Sequence, residues 1–175
     1  MTVNTTLPFE LGQKAPSTVT EFDRLVGEFF AHRDSNGNPQ MLRLMRLNNA
    51  SGLSSAGALV FKLSNPSAAF DGDVEGVAAT SDRPCGVSHA DQVALDDNDF
   101  FLLIVEGQAT VTYGDAGGSI TAGHFVGPDD DADTGKVAST NTTYTRGTTI
   151  GKAIGANSGA DGEQSDVQIL DRLLG

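Results

Sequence analysis

Apolar residues in this 175-residue chain come in short blocks broken by Gly, Asp, Asn, Ser and Pro, the rhythm of strands and turns rather than of helices. Residues 58–63 alternate, with Leu59, Phe61 and Leu63 on one face, as a half-buried strand requires. Residues 28–33 and 41–47 flank the turn-rich run Ser35-Asn36-Gly37-Asn38-Pro39, which predicts a β-hairpin. Within that neighbourhood Phe22, Leu25, Val26 and Phe29 stand at i, i+3, i+4 and i+7. With Thr18 and Glu21 at capping-box spacing, the stretch also admits one short helix. Residues 100–105 form an unbroken apolar run suited to a strand buried on both faces. Glu106-Gly107 reads as a tight turn, and residues 108–113 then alternate Ala109, Val111 and Tyr113 against Thr110 and Thr112, which predicts a second hairpin. Further short strands are expected at 74–79, 119–121, 124–126, 136–139, 148–154 and 166–173.

About ten short strands without intervening amphipathic helices predict an all-β fold, a short-stranded barrel or sandwich, because exposed strand edges invite aggregation and closure removes them. No internal repeat interrupts the pattern. Residues 1–20 are polar, carry Pro8 and Pro16, and read as an extended N-terminal arm, with terminal disorder as the plain alternative. Ordering that arm against a partner would require Leu7, Phe9 and Leu11 to find pockets, which makes them candidate interface residues. Residues 21–175 then form a single β-rich domain, long enough to bury roughly 70% of the surface its unfolded chain exposes.

Charge narrows the function classes. A formal net charge of -12 repels nucleic acid and anionic membranes at long range, so neither is an expected partner and a protein is. Twenty-one glycines without a collagen-like period point to many tight turns. The lone Cys85 forms no internal disulfide and belongs to no zinc set. No basic and apolar leader opens the sequence, and the longest apolar run is far too short to span a bilayer.

Candidate chemistry is sparse. Asp129-Asp130-Asp131-Ala132-Asp133-Thr134-Gly135 begins with calcium-loop spacing, but its glycine falls one place late and Thr140 stands where a bidentate glutamate belongs, so a solvated acidic turn is the better reading. Asp71-Gly72-Asp73 and Asp96-Asp97-Asn98-Asp99 are weaker versions. Gly147 to Ala153 is one residue short of a phosphate loop and lacks its hydroxyl, which leaves Lys152 as a solvent-facing strand residue. His32, His89 and His124 sit in unrelated contexts, and no nucleophile elbow or paired metal ligand accompanies them. No cofactor is expected and no catalysis. The absence of Trp weakens a sugar-binding reading.

The order of the blocks carries a resemblance. Gly27-Glu-Phe-Phe-Ala-His-Arg-Asp, Met41-Leu-Arg-Leu-Met-Arg-Leu-Asn-Asn-Ala-Ser-Gly and Ala58-Leu-Val-Phe-Lys are followed by Val74-Glu-Gly-Val-Ala and Pro84-Cys-Gly-Val-Ser. Phe100-Phe-Leu-Leu-Ile-Val-Glu-Gly-Gln-Ala-Thr-Val, Ile120-Thr-Ala-Gly-His-Phe-Val-Gly and Ile150-Gly-Lys-Ala-Ile-Gly complete the series. Together they resemble the tailed-bacteriophage capsid decoration, or cement, proteins over residues 27–175; the acidic insert near Asp129 and the Thr-rich stretch 140–149 depart from that pattern. The resemblance implies a β-tulip-like domain and a homotrimer on the outer capsid surface of the virion, assembled in the host cytoplasm. Its partner would be the major capsid protein, and its task to stabilise the mature head by clamping neighbouring capsomers. Arg43, Arg46 and Lys62 would then be available near interfaces. The alternative is a virion-surface β-module that binds a host glycan or receptor.

Overall fold

In a computed structural model the described residues are 3–53, 56–64, 73–76, 81, 83–114, 119–129 and 135–170. The alternating blocks become strands: β1 Val3–Asn4, β2 Phe29–Arg33, β3 Pro39–Leu47, β4 Val60–Leu63, β5 Asp73–Gly76 and β6 Pro84–Ser88. β7 Phe100–Thr112, β8 Phe125–Pro128, β9 Val137–Asn141, β10 Gly151–Ala153 and β11 Gln164–Ile169 follow. The fold is all-β, as the patterning predicts. One short 3-10 helix, Thr20–Arg24, is the sole helical element among the described residues, and the Thr18–Glu21 capping box is not formed: its cap is Val19, which makes no side-chain hydrogen bond.

The strands pair in the order β1-β2-β3-β5-β4-β6-β7-β11-β10-β8-β9, and β3 also pairs with β7. That extra pairing returns the sheet on itself through β3, β5, β4, β6 and β7. A bridge between Tyr113 and Val137 returns β9 to the end of β7 and closes a second circuit through β11, β10 and β8. Closure is thin at both seams. Among the described residues β3 pairs with β5 at Arg46–Asp73 and Leu47–Val74, extended by the Asn48 N–H to the Val74 carbonyl, and β9 meets Tyr113 at one bridge, so the molecule is barrel-like without being a regular barrel.

β7 belongs to both circuits, and its phase changes between them. Phe101, Leu103 and Val105 join Met45, Leu47, Phe61 and Val74 in one core cluster. Phe100, Leu102 and Ile104 face the other cluster, with Leu42, Leu44, Val60 and Val87. Beyond Gly107 it is Ala109, Val111 and Tyr113 that face this second cluster, together with Val126, Ile150, Val167 and Ile169. The switch from even to odd positions is produced by a β-bulge: Leu42 pairs Ile104 while Met41 pairs Glu106, so two residues of β7 oppose one step of β3.

This corrects the expected hairpin at Glu106-Gly107, since residues 100–112 are one continuous strand. A break in alternation marks a bulge as well as a turn. Here Gly107 takes φ of 101°, and a Cβ on it would collide with the Pro39 carbonyl oxygen. The hairpin expected between 28–33 and 41–47 is present as β2–β3, and residues 59, 61 and 63 do share a face.

The N-terminal segment lies along its own chain. β1 pairs parallel with β2, and Ala15 exchanges backbone hydrogen bonds of 2.9 and 2.8 Å with Phe100. Phe22 of the 3-10 helix packs edge-on between Phe9 at 5.5 Å and Phe100 at 5.8 Å. The expected strand at 74–79 is described only to Gly76, and that at 166–173 only to Leu170; Asp71 and residues 130–133 lie outside the described residues. Among the described residues no helix is long and apolar enough to cross a membrane.

Candidate interaction surface

The three histidines stand in separate parts of the chain. His32 lies in β2. His89 follows β6, with Nδ1 3.6 Å from the Asp91 carboxylate. His124 precedes β8, with Nδ1 3.3 Å from Ser139 Oγ. Among the described residues, no group of three His, Cys, Asp or Glu is placed to hold a metal ion. Asp129, first of the acidic run, is 3% exposed and points at Gly114, where a Cβ would overlap its carboxylate, so its place is in the packing of the β8 end.

Leu7, Phe9 and Leu11 are half-buried against the core of their own chain. Arg43 donates from Nε to the Gly27 carbonyl at 3.0 Å and stacks over Phe29, and burial pulls its guanidinium pKa down. Arg46 grips Asp73 with two hydrogen bonds of 2.7 and 2.9 Å. Lys62 lies 3.6 Å from Glu75 on the neighbouring β5. All six candidate interface residues therefore have work inside the protomer.

An open groove of about 640 Å3 crosses the bulge, lined by β2, β3, β7 and Gln168 of β11. Much of its polar rim is already engaged: Arg33 binds the Gly37 carbonyl, Gln40 the Gln108 carbonyl, and Asn38 binds Asp34 and Gln108. The Asp34 carboxyl, held by the Asn38 side chain and by turn N–H groups, lies below its ordinary pKa.

The outer face of the second circuit is different in kind. Strand alternation points Lys152 outward from β10 while Ala153 is buried, and Ile154, just past the end of the strand, is exposed. Lys152 pairs with Phe125 of β8, and its ammonium sits 5.2 Å from the centre of that ring. Tyr144 meets Phe125 edge-on at 5.6 Å. Tyr144 at 54% and Ile154 at 46% are the large hydrophobic residues that the described surface exposes most.

The loop presenting Tyr144 is tied down. Thr149, itself 1% exposed, accepts from the Thr145 N–H through its hydroxyl at 2.9 Å, and the N–H groups of Thr148 and Thr149 both bond the Thr145 carbonyl. Thr140 caps the other side by donating to the Thr143 carbonyl at 3.0 Å. Arg146 is exposed in this loop, and the Arg83 side chain lies against Gly147. Phe125 thus contacts both Tyr144 and Lys152, and Arg146 stands two residues from Tyr144 in the loop that Arg83 approaches.

The patch was only partly legible beforehand. Lys152 is foreseeable as an outward strand residue, but Tyr144 stands in a Thr-rich stretch with no periodicity, and Phe125 reads as core. No protein-family model and no curated protein matches this chain.

Proposed function

We propose that this chain is a structural virion protein that binds the outer surface of a phage capsid and stabilises the mature head by clamping neighbouring capsomers. It acts as a homotrimer with the major capsid protein as partner, without nucleic acid, membrane, cofactor or catalysis. The observation that carries the reading is the patch in which exposed Tyr144 and Lys152 meet the half-buried Phe125, with exposed Ile154 two residues on from Lys152. Aromatic and cationic side chains on a rigid support are what contact surfaces use, whereas an active site needs converging polar groups. The ordered blocks that resemble capsid decoration proteins supply the identity of the partner.

Three linked copies would turn modest contacts per protomer into slow dissociation, because each contact after the first is intramolecular. The net charge of -12 keeps a particle crowded with copies soluble. Co-sedimentation with expanded and unexpanded heads tests the proposal. Saturable binding to expanded heads, with raised resistance to heat, is expected; equal binding to both forms, or to neither, overturns it. A second reading, a virion-surface module for a host glycan or receptor, draws on the half-exposed Tyr144 ring as a stacking platform. Glycan binding without head binding would favour it.

A further inference from the structure

The turn between β2 and β3 carries the chain's one Asn-Gly pair, Asn36-Gly37. A glycine after asparagine has no side chain to shield its backbone nitrogen, so that nitrogen can reach the carbonyl carbon of the asparagine side chain. Both residues are exposed, and a Cβ on Gly37 would have nothing within 4 Å. The Asn36 side chain makes no hydrogen bond among the described residues. Other asparagines are less open. Asn38 precedes Pro39, which has no N–H, and its amide is spent on Asp34 and Gln108. The Asn49 side chain accepts from the Ser51 N–H, and that of Asn98 donates to Asp97. The Asn157 side chain donates to the Gln164 carbonyl and accepts from the Gly159 N–H.

The closed turn holds this pair back. The Gly37 N–H donates to the Asp34 carbonyl at 2.9 Å, which occupies the nitrogen that would attack. The Asp34 carboxylate organises the closure. Its Oδ1 accepts from the N–H groups of Asn36 at 2.9 Å and Asn38 at 2.8 Å, and its Oδ2 accepts from the Asn38 side-chain amide at 2.9 Å. The Asp34 N–H donates in turn to the Asn38 carbonyl at 3.0 Å, and Arg33 binds the Gly37 carbonyl at 2.7 Å. An aspartate two residues before the asparagine therefore controls how often the turn opens.

We infer that Asn36 is a site of spontaneous deamidation, and that the Asp34 carboxylate restrains the reaction by keeping the turn closed. When the turn opens, the Gly37 nitrogen gives up its proton to hydroxide and bonds to Asn36 Cγ. The Cγ–Nδ2 bond breaks, and ammonia leaves with a proton taken from water, which closes a succinimide ring. Water then opens the ring at either carbonyl and leaves aspartate or isoaspartate, with no change of oxidation state. Either product adds a carboxylate close to that of Asp34. The isoaspartyl product also inserts one carbon into the backbone between Asp34 and Asn38, so the bonds that close the turn lose their register. Because Asn38 also ties the turn to Gln108 of β7, that product loosens the rim of the groove as well as the β2–β3 hairpin.

The experiment incubates the full chain at mildly alkaline pH over weeks and follows, by peptide mapping in a mass spectrometer, the exchange of NH2 for OH at each asparagine. Four samples are compared: folded wild type, wild type unfolded in guanidinium chloride, Asp34→Ala, and unfolded Gly37→Ala, with circular dichroism establishing which are folded. Asn36 is expected to be the fastest site in the folded chain. Unfolding and Asp34→Ala should each raise its rate by about tenfold or more, since each removes the hydrogen bonds that the carboxylate accepts. Unfolded Gly37→Ala should react more slowly than unfolded wild type, because the added methyl group shields the nitrogen. Another asparagine reacting faster in the folded chain, equal rates in folded and unfolded wild type, or a folded Asp34→Ala with an unchanged rate overturns the inference. If Asp34→Ala does not fold, the comparison of folded with unfolded wild type still decides.

Discussion

Replacing Gly107 by alanine tests whether the bulge in β7 joins the two circuits as described. Gly107 has φ of 101°, and an added Cβ would lie 3.0 Å from Gln40 Cα as well as overlapping the Pro39 carbonyl oxygen. Carbon atoms in good contact stand about 3.5–4.0 Å apart, so relief requires β3 to move away from β7 by about half an ångström or more. Gly37, in the β2–β3 turn, has φ of 84° and nothing within 4 Å of its would-be Cβ, which makes it the control for backbone conformation alone. The left-handed conformation costs a non-glycine residue about 1–2 kcal/mol. The collision at Gly107 adds the roughly 1–3 kcal/mol typical of overpacking. Gly37→Ala should therefore cost about 1–2 kcal/mol and Gly107→Ala about 2–5 kcal/mol. For a chain of this size each kcal/mol moves the melting temperature by roughly 2–4 °C, so the Gly107 variant should lose about 4–20 °C. Urea unfolding followed by circular dichroism separates the two, with the midpoint shifting and the slope unchanged. Equal losses at Gly37 and Gly107 would refute the reasoning, since a hairpin turn at Glu106-Gly107, free of Pro39, would give that result.

Other expectations follow from the same contacts. Phe61→Ala empties the first circuit beside Phe101, whose ring lies 4.8 Å away, and should cost about 3–5 kcal/mol in urea unfolding. Arg46→Ala removes a bidentate pair with Asp73, but the Arg46 side chain is 36% exposed, so the loss should stay within about 1 kcal/mol. The Asp34 carboxyl is held below its ordinary value of 3.8 first by the Asn38 side chain, so its contribution to stability is complete above that value and is lost as pH falls through the lower folded value. The melting-temperature gap between wild type and Asp34→Ala should accordingly be constant from neutrality to about pH 5 and close below about pH 4. A gap that persists undiminished in strong acid would contradict the assignment.

Local alternation was enough to place β4 and the β2–β3 hairpin, because Leu59, Phe61 and Leu63 must share a face and Asn36-Gly37 supplies the turn. The same reasoning misread Glu106-Gly107, where the phase break comes from the approach of Pro39, some 70 positions away in the chain, as in the Asn38–Gln108 hydrogen bond. The seams that close the circuits, Leu47–Val74 and Tyr113–Val137, are likewise set by distant partners that no local window contains. Leu7, Phe9 and Leu11 were sound as residues in need of pockets, but those pockets lie on Phe22 and the neighbouring core of the same chain. Arg43, Arg46 and Lys62 were singled out for charge alone, and charge does not reveal that Gly27, Asp73 and Glu75 are waiting for them. The patch around Tyr144 depends on a Thr-rich loop folding back on Thr149, a side-chain-to-backbone device without hydrophobic periodicity.

Particle imaging of mature heads that carry this protein tests the central claim most directly. Density for the two-circuit β domain is expected on the outside of the shell, at local threefold positions between capsomers. Density confined to a tail or spike, or heads that keep their form and heat resistance when the protein is stripped away, would contradict it.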